Sequence, residues 1–223
     1  LLVASCHVEP DKVGQNGPST KLEEHQQSYE HIPHLLSFMR EVGLPMTLCI
    51  MVGGRAGVRL LEVVAQHKAK LPPSSELAIH FHFEKYDDSR RQWETVKPDR
   101  AGMKKYCDLF CQKLMATPTS AVFHHWLVDE EAIKMAKEVG MAVDGSYAPY
   151  QHRERFMIKP PFRWSGVLEV PVASDGDFPL NPFLSSYHRR IFELLISKYH
   201  NTNDTVLHLA FHSYDIFSFN KGK

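Results

Sequence analysis

Apolar and polar positions alternate with period two along residues 77–84, Leu-Ala-Ile-His-Phe-His-Phe-Glu. As a strand, this segment puts His80, His82 and Glu84 on one face. The same habit recurs near the start, in Cys6-His7-Val8-Glu9, and near the end, where His208 and His212 share a face of residues 207–212, the expected strand itself running over 205–211. Apolar runs over 1–8, 45–52, 121–125, 141–144 and 166–172 bring the expected strands to seven. Between them, helical spacing predicts helices over 28–42, 58–70, 100–115, 129–139 and 182–199, with Asp129 as an N-cap and Gly43 and Gly140 as stops. Residues 10–20, 85–98 and 147–164 read as loops, and Pro72-Pro73-Ser74-Ser75 breaks the chain before the histidine-rich strand.

Strand and helix in alternation imply right-handed crossovers and a parallel sheet, an α/β fold. Seven such units within 223 residues suit one domain spanning 1–223, closed or nearly closed as a barrel, with an open doubly wound sheet as the alternative. In either architecture ligands bind at the carboxyl ends of the strands. There the chain places His7 and Glu9, then His80, His82 and Glu84, then His124 and His125, Asp144, Glu169 and His212.

Composition narrows the functional classes. With 26 basic and 26 acidic residues the chain has no net field to draw nucleic acid or an anionic membrane, and neither is expected as a partner. No apolar run approaches the ~20 residues that span a bilayer, and no signal-peptide pattern is visible. A cytoplasmic location is therefore expected, although Leu1 already lies inside a predicted strand, so a preceding segment, a removed signal peptide included, is compatible with the sequence. The four cysteines lack zinc-finger spacing and read as buried free thiols. Fourteen histidines leave enough for a site even if half are structural. Neutral imidazoles and carboxylates together bind divalent ions; zinc is the first candidate, with nickel, cobalt and manganese as the others.

With these landmarks in order, the chain resembles the polysaccharide deacetylase (NodB-homology) superfamily, whose members form a distorted seven-stranded (β/α) barrel. His7-Val8-Glu9-Pro10-Asp11 is similar to the acidic motif of the first strand, and Glu76 to His82 to the metal-histidine motif in a His-x-His form. Val122 to Trp126 and Glu138 to Ser146 are similar to the fourth strand and the Gly-Phe-x-x-Asp-x-Ser that follows it. Gly166 to Val172 and Ala210 to Ser213 look like the sixth strand and the late histidine motif. Two positions depart from the pattern: His7 replaces the Asp that serves as base, and His124 replaces the Arg that orients it. An imidazole with a pKa of ~6.5 still accepts a proton near neutrality.

The resemblance implies a divalent-metal hydrolase acting on an N-acyl or O-acyl carbohydrate or another C–N bond. His80 and His82 would hold the metal with Asp11 or Glu9, and Glu84 is a further ligand candidate. His7 or Glu9 would be the base and His212 the acid, with His124 beside them and Asp144 orienting His212 or another imidazole. A catalytically impaired or carbohydrate-binding member of the same fold is the second reading, and an amidohydrolase-like or PHP-like barrel the third.

Blander readings stand beside these. His208 is expected to be structural; His25, His31, His34, His188 and His200 are expected in solvent; His125 is expected to face away from the site. Trp126, Tyr147, Tyr150 and Trp164 are either packing or a sugar-stacking groove, and packing is the more frequent fate of aromatics. Arg153, Arg155 and Arg163 read as a solvated loop rather than an anion site.

Overall fold

The computed structural model describes residues 1–10, 29, 31–43, 46–54, 58–87, 89, 92–126, 128–153, 158–183, 185–199, 201–202, 205–213 and 215. All seven expected strands are present and run parallel in one sheet. They are β1 (Leu2–Val8), β2 (Thr47–Gly53), β3 (Glu76–His82), β6 (Ser120–Phe123), β7 (Val143–Asp144), β9 (Val167–Glu169) and β10 (Leu207–His212). Their order is β10-β1-β2-β3-β6-β7-β9, and β8 (Phe162–Trp164) adds antiparallel to β9. The segment after β9 completes the ring: the Ala173 amide donates to the His208 carbonyl on β10, and the Val170 amide donates to Asp144 on β7. The fold is thus a distorted (β/α) barrel, and the open-sheet alternative gives way to this closure.

Period two decides which residues face which way. Cys6, Val8, Leu48, Ile50, Ile79, Phe81, Ala121 and Phe123 pack outward into the main core. That core is completed by apolar stripes on α1 (His31–Val42), α2 (Arg59–His67), α3 (Arg100–Leu114) and α4 (Glu130–Glu138). On β10, Leu207 and Leu209 instead meet Ile191 and Leu195 of α5 (Ser186–Tyr199). The intervening residues line the interior: Cys49, Ala78 and Val122 form a small apolar floor, and the histidines lie above it. Asp99 and Asp129 cap α3 and α4, each accepting a backbone N–H at 2.8 Å.

Four expectations need correction. The histidine-rich strand pairing ends at His82, although the alternation runs on: Phe83 packs with Phe81 in the main core and against Tyr106, and Glu84 faces His82. Glu84 instead starts a hairpin, β4 (Glu84–Asp87) with β5 (Gln92–Thr95), inside the segment expected to be a loop. The fourth core strand stops at Phe123, and His124–Trp126 forms a tight helical turn in which His125 and Trp126 adopt φ of 55° and 58°. A strand, β8, and a turn over Pro149–His152 lie within the expected loop 147–164.

Candidate metal centre

Four strand ends and one turn deliver the site. His7 lies beside His212 across the β1–β10 ladder, and His80 and His82 close β3 next to β2. Glu9 follows β1 into the centre, where its Oε1 is 3.3 Å from His82 Nε2, 3.5 Å from His80 Nδ1 and 3.7 Å from His212 Nε2. Glu84 reaches the same cluster from its hairpin: its Oε1 is 3.7 Å from His82 Nδ1 and 3.6 Å from His124 Nε2. The His7 ring packs on those of His80 at 4.5 Å, Trp126 at 5.0 Å and His212 at 5.4 Å. Gly54 makes room for Glu84: its φ is +55°, and an added Cβ would collide with the Glu84 carboxylate.

The donors converge more tightly than structural hydrogen bonding explains. One atom each from Glu9, His80, His82 and His124 lie within 4.8 Å of one another, as do one each from His7, Glu9 and His212. Buried His7 Nε2, Glu9 Oε1, His80 Nδ1 and both ring nitrogens of His82 have no hydrogen-bond partner among the described residues. Buried polar atoms normally have one. A divalent cation accepted by these lone pairs would satisfy them, and a set of three imidazoles with a carboxylate matches the donor chemistry of zinc and its neighbours.

Electrostatics prepare these donors, His82 excepted. Burial pushes His7 and His80 well below the usual imidazole range, and His124 down to about 3, so all three keep a free lone pair at neutral pH. Burial would raise Glu9, but the imidazoles of His212, His82 and His80 outweigh it and hold the carboxyl well below its usual range. Burial likewise opposes charge on His82, yet the Glu84 and Glu9 carboxylates prevail and raise it.

Asp11 lies outside the described residues, as do His25, Arg155 and His200. Asp144 does not orient His212. Its Oδ1 accepts from Ser146 Oγ at 2.8 Å, and it faces Glu169, whose Oε1 accepts the Tyr147 amide at 2.9 Å. The partner of His212 is Asp215: its Oδ2 is 3.5 Å from His212 Nδ1 and accepts the His212 amide at 2.8 Å and Asn181 Nδ2 at 2.7 Å. Sequence reasoning passed over Asp215, although its place three residues beyond His212 is a local signal. His208 is structural, bonded to Ser5 Oγ and the Val170 carbonyl at 2.8 Å each.

Two histidines expected in solvent are engaged: His31 Nε2 lies 2.9 Å from Ser213 Oγ, and buried His188 lies 3.2 Å from Asp175. His34 and His125 are exposed. Tyr147 stacks on His152 and meets Phe162 and Trp164 edge-on, so Tyr147 and Trp164 pack rather than line a groove. Arg153 and Arg163 are exposed. Cys6, Cys49 and Cys107 are buried free thiols, and Cys111 is half-buried. No described helix is long and apolar enough to cross a membrane.

No family model and no curated sequence relative matches the chain. Solved structures do match in fold. A protein described as a polysaccharide deacetylase from Mycobacterium smegmatis superposes with a TM-score of 0.62 at 12% identity, over 99% of this chain and 80% of that one. Another described as a polysaccharide deacetylase involved in O-antigen biosynthesis, from Bordetella bronchiseptica, gives 0.52 at 13% identity, over 95% and 71%. A GH57-type branching enzyme from Pyrococcus horikoshii gives 0.55 at 8% identity, over 97% and 63%. The chain therefore has the fold of polysaccharide deacetylases, a fold that carbohydrate-processing enzymes of another kind share.

Proposed function

We propose that the chain is a metal-dependent hydrolase that removes an acyl group from nitrogen or oxygen of a carbohydrate. The observation that carries this is the convergence of Glu9, His80, His82 and His124 in the barrel mouth, with buried ring nitrogens left without partners. Both carboxylates of the cluster, Glu9 and Glu84, are engaged with its imidazoles, which favours deacylation over glycoside cleavage, where two carboxylates flank the scissile bond. Glu9, His80, His82 and His124 would hold the ion, and Glu84, facing the other nitrogen of His82, would orient that ring. When bound, the ion polarises the substrate carbonyl and acidifies water.

The chain's own groups then move protons. His7, neutral and with Nε2 unbonded, takes the proton of water as its oxygen adds to the carbonyl carbon. His212, set by Asp215, gives a proton to the leaving amine or alcohol as its bond to that carbon breaks. An imidazole in place of the Asp of the family this chain resembles suits this role because burial keeps His7 neutral, with a lone pair to accept the proton.

The test is metal content and turnover of the purified chain with zinc, nickel, cobalt and manganese, for the parent, His80→Ala and His7→Ala. His80→Ala should lose metal. His7→Ala should keep it, with turnover falling by about 100- to 10,000-fold. Metal content unchanged in His80→Ala would overturn the assignment, and metal uptake without turnover in the parent would make the chain a binding module of the same fold.

A further inference from the structure

We infer that an apolar acyl group of the substrate seats in a pocket beside the imidazole cluster, making the chain selective for acyl groups much larger than acetyl. The chemistry rests on the hydrolase reading, whereas occupancy of the pocket can be measured without turnover. The cavity holds about 730 Å³ and is walled by Phe81, Phe83, Val96, Phe123, Trp126 and Ala132. That lies within the ~300–1,000 Å³ typical of sites for drug-sized ligands, which a two-carbon acetyl group would leave largely empty.

Position links the pocket to the chemistry. His124 and Trp126 both line it. The His124 ring lies 3.8 Å from that of His82, and the Trp126 ring 5.0 Å from that of His7. Their turn is held in the left-handed region by its neighbours: Gln151 Nε2 donates to the His125 carbonyl at 2.9 Å, and the Val128 amide to that of Trp126 at 3.0 Å. Strained turns of this kind persist where surrounding contacts over-determine them, often at ligand clamps.

The phenylalanine-rich wall favours an apolar occupant over a sugar ring. Lys97 is paired with Glu131, Asp129 Oδ1 caps α4, and Gln151 Nε2 is bonded to backbone. Sugar hydroxyls placed among the phenylalanines would lose water without gaining partners. An alkyl or aryl acyl chain needs none, and each buried methylene adds to its affinity.

Calorimetric titration of the full chain, with and without added zinc, would compare N-octanoylglucosamine with N-acetylglucosamine. The octanoyl ligand should bind at least about tenfold tighter. Val96→Trp at the exposed rim and Ala132→Phe in the wall should each remove that preference, with circular dichroism reporting the fold. Equal affinities, or a preference surviving both substitutions, would overturn the inference. Octanoyl preference with no turnover of either compound would keep the pocket and remove the hydrolase reading; turnover of the acetyl compound with no preference would do the reverse.

Discussion

His212 stands between two carboxylates, with Glu9 3.7 Å from one ring nitrogen and Asp215 3.5 Å from the other. The arrangement fixes the ring plane, and Asn181 in turn fixes Asp215. Asp215 thus acts through His212 as a positioning residue. Asp215→Asn should leave metal content unchanged and lower turnover by about 10- to 100-fold, with a displaced pH profile, since partners one step behind the reacting groups cost that much when altered. A merely structural Asp215 would change the melting temperature and leave the pH profile where it is.

At the scale of elements, strand ends and helix starts place the chemistry. β3 carries two histidines to the barrel mouth because its period is two, and the hairpin after it returns a carboxylate, Glu84, to the same cluster. α3 backs this region, with Met103 and Phe110 in the core that receives Phe81 and Phe83. Its first turn depends on Asp99, which satisfies the Gly102 amide. Asp99→Ala should cost about 1 kcal/mol of stability, read from thermal or denaturant unfolding, with metal content unaffected.

The whole barrel sets a buried acid pair, Asp144 and Glu169, side by side on β7 and β9. Burial first, and then the neighbouring Asp144 charge, push Glu169 up to about 11. The folded chain therefore keeps a proton that the unfolded chain releases above its ordinary carboxylate pKa of ~4.3. Stability from this group is full below that value and falls as pH rises toward the folded-state pKa, with a limiting slope of about 1.4 kcal/mol per pH unit for one proton. Glu169→Gln removes the proton from the balance, so its unfolding free energy should vary less between pH ~6 and ~9 than the parent's. Parallel pH curves for the two proteins would contradict the shared proton.

The order of strands, their inward faces and the histidines at their ends follow from local pattern, because period two and apolar runs are properties of neighbouring residues. Hence His7, Glu9, His80, His82, Glu84 and His212 read as a set from the sequence, with His124 beside them. Contacts made by loops and by the closure of the ring were not. Glu84 meets His124 only through the β3–β6 pairing, Asp144 meets Glu169 only through the β7–β9 pairing, and Asp215 finds His212 only at the end of the last strand. The pocket beside His124 exists because segments distant in sequence close around one left-handed turn. Such distances depend on register and crossover between segments far apart in the chain, which no local periodicity encodes; the tertiary structure alone decides them.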